Sequence, residues 1–331
     1  MKPCRHFSSS PEDLSLVASD LASGAVVALP TETVYGLAAD ALNPAALKKI
    51  FKAKQRPSTD PLIIHIAHLV QADELAYTNK DFYILAQTFW PGPLSIILPK
   101  KDIVPSLATA DRPTVALRMP KHPAFRTILE KAKCPLAAPS ANPFGYISPT
   151  TAAHVIDSLG NVIDGVVDGG PCDHGIESTI VNLSNPKHIE ILRPGPISAQ
   201  AIEKVLNKAV LIHQKTYSLL SQESLEAPGL LSKHYSPKTP VTLVKAGDLS
   251  PSIAEQAAYV YLAYTPTENL NAPNVKYLSK NGSLEEASRN LYKVLRELDK
   301  ENFKKIFIEK APNEGLGIAL NDRLNRAASK K

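Results

Sequence analysis

The stretch from Leu29 to His65 decides the fold. It reads Leu29-Pro-Thr-Glu-Thr-Val-Tyr-Gly-Leu37, then Lys52-Ala-Lys-Gln-Arg-Pro57, then Pro61-Leu-Ile-Ile-His65. The apolar run at 25–29 leads into it and is typical of a buried strand. Pro30 ends that strand because proline has no N–H group to donate to a sheet ladder. Hydroxyls and a carboxylate follow at once, where open α/β sheets place their ligands. The stretch therefore predicts a pocket with hydroxyls and a carboxylate on one wall and cations on another.

Length and composition describe an ordinary globular protein. The chain has 331 residues, which favours two domains and is ample for a full core. It is 44% hydrophobic and 21% charged. The net charge of +5, from 37 basic and 32 acidic residues, fits anionic small substrates as well as nucleic acid. Charge alone therefore does not distinguish an enzyme from an RNA-binding protein.

Cysteine usage and hydrophobic runs predict a cytoplasmic location. Cys4, Cys134 and Cys172 are too few and too scattered for a disulfide framework or a Cys-rich zinc site. The N-terminal Met-Lys-Pro-Cys-Arg-His is not followed by the apolar core of a signal peptide. No run reaches the roughly 18 apolar residues of a membrane-spanning helix. We therefore expect a reducing compartment and no membrane segment.

Alternating strand and helix patterns predict an α/β fold for residues 1–213. Apolar runs predict strands at 25–29, 61–67, 94–98, 114–119, 135–138, 165–168, 178–183 and 188–193. Helical spacing predicts helices that begin near Ser10, Asn43, Asp81, His122, Thr151 and Ala199. The last strands follow one another directly, so we expect a mixed sheet rather than an all-parallel one.

The rest of the chain is predicted to form a linker and a second unit. Periodicity lapses at 214–239, which we interpret as an interdomain linker, although it holds an ordered-looking Lys-His-Tyr motif at 233–235. Residues 240–331 form a second, smaller α/β unit. Its predicted strands are at 241–244, 259–264 and 304–308, and its predicted helices are at 283–298 and 316–328.

Several charged residues are candidates for ligand binding, and each has a structural alternative. Lys54 and Arg56 suit phosphate groups, but cations are also common at the end of a helix. Arg118 ends an apolar strand and must pair with an anion, which is either a structural carboxylate or a carboxylate of the ligand. His65 lies inside an apolar strand, where a histidine is more often a satisfied core residue than a ligand.

Small polar residues also lie at the ends of predicted strands: Ser140 and Asn142 follow one, and Glu177 and Ser178 stand at the start of another. Singly, such residues often do no more than form turns or caps. Together with the cations they repeat one pattern, in which an apolar strand ends in hydroxyls or a charge. That convergence predicts a ligand cleft at the end of the sheet.

The signatures of common enzyme classes are missing from the sequence. There is no G-x-x-x-x-G-K-[ST] phosphate loop, no G-x-G-x-x-G fingerprint, no H-E-x-x-H metal helix and no G-x-S-x-G nucleophile elbow. Cys172 and His174 invite a nucleophile interpretation, but no orienting third group accompanies them. An ATP-using enzyme of this sequence would bind the nucleotide in another geometry.

Taken in order, the motifs resemble the YrdC-like family across most of residues 12–207. The matching motifs are Pro30-Thr-Glu-Thr-Val-Tyr-Gly-Leu37, Lys54-Gln-Arg56, Pro61-Leu-Ile-Ile-His65, Trp90-Pro-Gly-Pro93, Val115-Ala-Leu-Arg-Met-Pro120, Ala138-Pro-Ser-Ala-Asn142, Ile176-Glu-Ser-Thr179 and Leu192-Arg-Pro-Gly195. The predicted linker and the second unit resemble the longer, two-domain members of that family.

The resemblance implies an open, twisted mixed sheet around a basic cleft, followed by a smaller Rossmann-like domain. It implies that L-threonine, bicarbonate or CO2, and ATP with Mg²⁺ give threonylcarbamoyl-adenylate and pyrophosphate, which is nucleotidyltransferase chemistry. The product would pass to a tRNA threonylcarbamoyl transferase for modification of tRNA, with weak contact to tRNA itself as a further expectation. No metal ligand of the protein is expected.

The resemblance also implies roles for individual residues, and Lys54 and Arg56 would be the catalytic cations. The threonine pocket would consist of Thr33, His65, Arg118, Ala138 and Ser178. The ATP site would consist of Lys54, Arg56, Asp60, Thr114, Ser140, Asn142, Ser148, Arg193 and Tyr235, with Tyr235 folding back over the nucleotide from the linker.

Two other functions remain open from the sequence. The first is an RNA-binding module without chemistry, which the lysines at 48–54 would suit. Against it, the aromatic content is only 6% and no stacking platform is evident. The second is a related carbamoyl transferase that uses carbamoyl phosphate and similar adenylate chemistry. The extra zinc-finger module that such proteins carry is excluded here by the cysteine count.

Overall fold

The computed structural model describes residues 4–185, 187–213, 235–249, 256–263 and 272–329. The greater part of the predicted linker, at 214–234, lies outside these residues, as does Tyr264 at the end of a predicted strand. The described chain forms a large mixed sheet flanked by helices and a second, parallel sheet. The predicted fold class is therefore confirmed.

The large sheet contains 11 strands. They are β1 (Arg5–Phe7), β2 (Val27–Leu29), β3 (Gly36–Asp40), β4 (Ile63–His65), β5 (Leu94–Pro99), β6 (Thr114–Arg118), β7 (Leu136–Ala137), β8 (Gly165–Val167), β9 (Thr179–Asn182), β10 (Ile189–Arg193) and β11 (Val210–Ile212). Their spatial order is β1-β8-β2-β3-β7-β4-β6-β5-β9-β10-β11. Parallel pairs such as β4–β6 and β5–β9 alternate with antiparallel pairs such as β5–β6 and β9–β10.

Helices cover this sheet, and polar residues that mark their predicted starts serve as caps. They are α1 (Pro11–Ala22), α2 (Pro44–Lys54), α3 (Val70–Leu75), α4 (Lys80–Phe89), α5 (Ser106–Thr109), α6 (Pro123–Ala132), α7 (Ala152–Leu159) and α8 (Ala199–Leu206). The side chain of Ser10 accepts the N–H of Asp13, and that of Asn43 accepts the N–H groups of Ala45 and Ala46. Each cap satisfies backbone donors that the first helical turn leaves without partners.

The second unit is a parallel sheet with two long helices. Its elements are β12 (Val241–Val244), β13 (Ala257–Ala263), β14 (Val275–Ser279), α9 (Leu284–Lys300), β15 (Lys305–Glu309) and α10 (Leu316–Ala327). The strand order is β12-β15-β13-β14, and every neighbouring pair is parallel. The all-parallel order, with α9 connecting β14 to β15, gives this unit a Rossmann-like arrangement. None of the described helices has both the length and the apolarity needed to cross a membrane.

Sequence patterns did not indicate four of the strands. β1 and β11 have only three residues each, while β3 contains glycine, alanine and aspartate and β14 has a lysine among its apolar residues. β3 begins at Gly36 and contains small residues, which a sequence pattern does not separate from a loop. Its strand conformation comes from antiparallel pairing with β2 and β7.

Strand register brings residues from distant parts of the sequence to one place. His65 at the end of β4 lies opposite Arg118 at the end of β6. Gly36 at the start of β3 forms a bridge with Ser140, which follows β7. These pairings collect polar residues from four strand ends on one side of the sheet, as expected for an α/β ligand site.

The two units share one hydrophobic cluster. Val34, Ile147 and Ile176 of the first unit pack with residues of α9 and α10, and Tyr235 is part of the same cluster. At Gly175 the chain touches the backbone of α9, since a Cβ added there would lie 2.5 Å from Arg289 Cα. The second unit is therefore packed directly against the segment that carries Glu177 and Ser178.

Candidate active site

A pocket lies on the face of the large sheet where these strand ends meet. It encloses about 530 Å³ of space not filled by protein atoms, part of which is open to solvent. Its walls consist of Thr31, Thr33, Val34, Gly36, Arg56, Ile63, His65, Arg118, Ala138, Pro139, Ser140, Glu177, Ser178, Arg193 and Tyr235. All five residues that the resemblance assigns to a threonine pocket are among them.

Arg118 is anchored on one edge and free on the other. Its Nη2 donates to Glu32 Oε1 at 2.7 Å and to Thr33 Oγ1 at 3.0 Å, and its Nε donates to Gly92 O at 3.3 Å. Nη1 makes no hydrogen bond to the described part of the chain. The structural carboxylate that the sequence left open is therefore Glu32, while binding of a ligand's carboxylate by Arg118, which also lines the pocket, stays a prediction. Burial opposes ionisation of Glu32, but the attraction of Arg118 outweighs it and lowers the pKa of that carboxyl.

His65 lines the pocket as a neutral ring. It is 2% exposed, its ring packs 5.1 Å from that of Phe125, and its Nδ1 has no hydrogen-bond partner among the described residues. Burial, reinforced by the charge of Arg118, lowers the pKa of His65 to about 3. The imidazole is therefore uncharged near neutral pH and can accept a hydrogen bond from a ligand.

Ser178 and Arg193 form the opposite wall. The Arg193 side chain donates from Nε to Ser178 O at 3.1 Å and from Nη2 to Ser178 Oγ at 3.1 Å. The Ser178 hydroxyl also lies 2.8 Å from that of Ser95. Gly195 is required here, since a Cβ at that position would lie 2.3 Å from the backbone nitrogen of Thr179. A buried hydroxyl and a buried cation are thus held side by side at the ends of β9 and β10.

Arg56 lines the pocket, and Asp60, which lies outside the pocket wall, forms an ion pair with Arg56. Nη2 of Arg56 lies 2.8 Å from Asp60 Oδ1 and donates to Pro61 O at 2.7 Å. Asp60 is fully buried and is not part of the pocket wall. Burial raises the pKa of Asp60 against the attraction of Arg56 and Lys54. Its observed role is to orient Arg56.

Lys54 and Asn142 lie behind the wall that carries Ser140. Lys54 Nζ donates to the backbone oxygen of Ser140 and, at 2.5 Å, to that of Asn142. The Asn142 amide donates to Pro143 O at 2.8 Å and to Tyr146 O at 2.9 Å. Neither side chain lines the pocket. Burial lowers the pKa of Lys54 well below its usual range. In this structure Lys54 holds the loop that presents Ser140.

The other predicted ATP residues differ in whether they line the pocket. Tyr235 lines the pocket with its backbone in the left-handed region, at φ 58°, which is unusual for an aromatic residue. Ser148 is buried and donates to Glu177 Oε1 at 2.6 Å. Thr114 starts β6 and lines a small neighbouring recess rather than the main pocket. Assignment of Lys54, Asp60, Thr114, Asn142 and Ser148 to the nucleotide thus remains a prediction.

The nucleophile interpretation of Cys172 has no support in the structure. Its thiol is buried away from the pocket wall, and burial raises its pKa, so it stays protonated and unreactive. Cys4, Cys134 and Cys172 are all free thiols.

Sequence reasoning missed the contribution of the second unit. Arg323 of α10 is fully buried and donates to Glu177, and Tyr292 of α9 donates to the same carboxylate. Arginine and tyrosine in amphipathic helices usually face solvent or a helix border, so no sequence signal distinguished them. Glu177 was visible as a polar residue at a strand start, but its role depends on these tertiary partners.

The fold and the site define an α/β protein whose cationic, hydroxyl-lined pocket suits an anionic small molecule. Comparison with known proteins makes this class specific. Residues 19–195 match the Sua5/YciO/YrdC family model, which is described as "Telomere recombination". Residues 197–329 match the Sua5 C-terminal model, described as "Threonylcarbamoyl-AMP synthase, C-terminal domain". The chain belongs to the Sua5/YrdC family.

Relatives of known name resemble the chain over almost its whole length. A threonylcarbamoyl-AMP synthase of Pyrococcus abyssi is 38% identical, covering 95% of this chain and 94% of the relative. One from Bacillus subtilis is 37% identical, covering 97% and 94%. Among solved structures, that of P. abyssi Sua5 complexed with L-threonine superimposes with a TM-score of 0.88 at 35% identity, covering 99% of this chain and 98% of that one.

Proposed function

We propose that the chain is an L-threonylcarbamoyladenylate synthase, a nucleotidyltransferase acting on L-threonine, bicarbonate or CO2, and ATP. The observation that carries the proposal is one pocket lined by Arg118 with a free Nη1, by the cations Arg56 and Arg193, and by several hydroxyls. The names of the relatives and the threonine complex of P. abyssi Sua5 support the same substrates.

Threonine would bind at the Arg118 side of the pocket. Nη1 of Arg118 would grip its carboxylate, since a guanidinium edge matches a carboxylate in geometry and charge. Thr33 and Ser178 offer hydroxyls, and neutral His65 offers a ring nitrogen as acceptor. Ala138 leaves room for a small side chain beside them.

ATP would bind at the Arg56 and Arg193 side. Its triphosphate requires compensating cations, and buried guanidiniums remain charged at every working pH. Ser140 and Tyr235 lie on the same wall. Mg²⁺ would enter as part of the nucleotide complex, held mainly by phosphate oxygens and water. Among the described residues, no group of three or more His, Cys, Asp or Glu side chains is placed to hold a metal ion.

The reaction needs no protein nucleophile. The threonine amine adds to CO2 and loses a proton to give a carbamate. A carbamate oxygen then forms a bond to the α-phosphorus, and the bond from that phosphorus to the oxygen it shares with the β-phosphate breaks to release pyrophosphate. The protein's part is to align the two substrates and stabilise the charge that develops on the phosphates. Arg56 would do this directly, and Lys54 through the loop that carries Ser140.

The product is a reactive mixed anhydride, so an acceptor must consume it. We propose that a tRNA threonylcarbamoyl transferase takes up the product. Because tRNA is modified in the cytoplasm, and the three cysteines are free thiols as in a reducing compartment, we propose that the reaction takes place there. A weak contact to tRNA is a further part of this proposal.

Threonine-dependent incorporation of labelled bicarbonate, with release of pyrophosphate, tests the proposal. The expected result is one pyrophosphate for each labelled product, and no product without threonine. Labelled product formed from carbamoyl phosphate instead would identify the related transferase. Salt-sensitive RNA binding with no product would identify the binding module.

A further inference from the structure

One arginine of the second unit ties together two strand ends of the first. The Arg323 side chain of α10 is 0% exposed. Its Nε donates to Glu177 Oε2 at 2.8 Å and its Nη2 to Glu177 O at 3.3 Å, while its Nη1 donates to Pro194 O at 2.9 Å. A planar guanidinium, whose donors point in fixed directions, determines the spacing of the groups that it holds.

These two strand ends carry pocket residues. Glu177 lines the pocket and directly precedes Ser178, and Pro194 directly follows Arg193. The pairing of β9 with β10 shifts register between Ile191 and Arg193, so strand pairing alone does not fix this end. The contacts of Arg323 to both backbones therefore hold the wall formed by Ser178 and Arg193.

The same cluster holds Tyr235. The Arg323 guanidinium carbon lies 5.4 Å from the centre of the Tyr235 ring, within the range of cation–π attraction. The ring of Tyr292 stacks on Tyr235 at 5.8 Å, and the Tyr292 hydroxyl donates to Glu177 Oε2 at 3.0 Å. Because Tyr235 has left-handed backbone geometry, the surrounding contacts must stabilise it.

The cluster also fixes the charge of Glu177. Burial opposes ionisation of Glu177, but attraction to Arg323 and Arg193 outweighs it and lowers the pKa of the carboxyl. As an anion, Glu177 accepts the hydroxyl of Ser148 at 2.6 Å. Asp322 supplies a second carboxylate beside these arginines, since it pairs with both Arg323 and Arg326.

We propose that Arg323 is a positioning residue of the active site, acting from the second unit through Glu177, the Pro194 backbone and Tyr235. The test of this inference by kcat/KM rests on the proposed function, whereas its test by ligand binding does not. The second unit is then part of the catalytic machinery rather than an appended domain.

Arg323→Met in the full-length protein tests the proposal, with Tyr146→Phe as the control. Tyr146→Phe also removes a contact between the units, the 2.8 Å hydrogen bond to Asp299, but leaves the hydrogen bonds of Arg323 and Tyr292 to Glu177 in place. We expect Arg323→Met to lower kcat/KM for ATP about 10- to 100-fold, as displacement of aligned groups does. Tyr146→Phe should keep wild-type kcat/KM. Arg323→Lys, which keeps the charge but not the fork, should fall between them.

The pH profile separates positioning from general destabilisation. Without Arg323 the pKa of Glu177 rises, so the activity of Arg323→Met relative to wild type should fall further between pH 8 and pH 6. Arg193, Tyr235 and Tyr292 also face this carboxylate and stay the same in both proteins. A ratio independent of pH, or equal losses in Arg323→Met and Tyr146→Phe, would overturn the proposal.

Thermal shifts distinguish failure of this proposal from failure of the proposed function. Stabilisation by L-threonine and by MgATP is measured for each variant and does not require turnover. If the wild type is stabilised by both ligands but makes no product, the proposed function fails, while a smaller MgATP shift in Arg323→Met still supports the positioning role. Equal MgATP shifts in wild type and Arg323→Met would overturn it.

Discussion

Arg118 and Glu32 form an ion pair inside the pocket wall, with 2.7 Å between Nη2 and Oε1. Their side chains are 5% and 1% exposed, so water screens the pair little. Glu32 Oε2 also accepts the N–H of Lys121 at 3.0 Å. Nη2 is held by Glu32 and Thr33 and Nε by Gly92 O, so we propose that Nη1 binds the carboxylate of a ligand.

Arg118→Ala should therefore weaken the binding of threonine but not that of ATP. A charge-assisted hydrogen bond contributes roughly 1.5–3 kcal/mol, which corresponds to roughly a 10- to 100-fold rise in KM for threonine. The KM for ATP should change little. Steady-state kinetics with each substrate varied in turn measures both values, and Arg5→Ala, on the exposed surface pair with Asp20, is the control. Unchanged threonine affinity in Arg118→Ala would contradict the assignment.

Lys54→Met tests whether Lys54 acts through the loop at 139–142. The substitution removes the donor to two backbone oxygens, those of Ser140 and Asn142. Each buried acceptor left without a partner costs about 1–3 kcal/mol, so the free energy of unfolding should fall and the KM for ATP should rise together. Lys52→Met, at an exposed position on the same helix, is the matched control.

Urea unfolding and ATP kinetics on the same preparations give both quantities for Lys54→Met. A rise in the KM for ATP with unchanged unfolding energy would instead show direct contact between Lys54 and phosphate.

Stability should fall as the pH drops below about 6.5, with His65 as one cause. Its pKa is near 3 when folded and near 6.5 when unfolded, so only the unfolded chain takes up the proton between these values. Stability from this residue is therefore complete above pH 6.5 and decreases by about 1.4 kcal/mol per pH unit below it. His65→Gln should make the pH dependence shallower, measured by denaturant unfolding at pH 7.5, 6 and 5.

The exposed His68 is the control for that experiment, since His68→Gln should leave the slope unchanged. Identical slopes for wild type and His65→Gln would show that other groups cause the loss of stability.

Gly175→Ala should disrupt the contact between the units. A Cβ there would lie 2.5 Å from both Arg289 Cα and Ser288 O, in addition to the strain of φ +72°. Gly170→Ala is the matched control, because it has φ +80° but no atom within 4 Å of the added Cβ. The control should cost about 1–2 kcal/mol for backbone strain alone. Thermal unfolding of both proteins measures the difference, and equal losses would show that the close contact is unimportant.

The central strands and the capped helices could be predicted because their signals are local. Predominantly apolar residues mark β5, β6 and β10, and Ser10 and Asn43 cap helices whose starts they also indicate in the sequence. β3 and β14 carry no comparable signal, since their strand conformation depends on neighbours that are remote in the chain. The resemblance assigned the threonine-side residues, and all five of them line one pocket in the structure.

The different roles of the neighbouring cations Lys54 and Arg56 could not be predicted from the sequence. Lys54 and Arg56 belong to one sequence motif, yet α2 ends between them. Gln55 adopts a left-handed conformation at that end, Lys54 points under the Ser140 loop, and Arg56 lines the pocket. A motif gives residue types and spacing, while the direction of a side chain depends on the loop packed against it.

The fold class, the family and the set of polar residues near the strand ends could be predicted from the residues in order, because strand periodicity, caps and motif spacing are properties of the chain itself. Which of those residues line the pocket, and which hold others in place, depends on the packing of the whole chain. That packing also joins Arg323 to Glu177, two residues on separate units that no local pattern connects. The physical reason is that a buried charge is stable only beside its partner, and packing of the whole chain selects that partner.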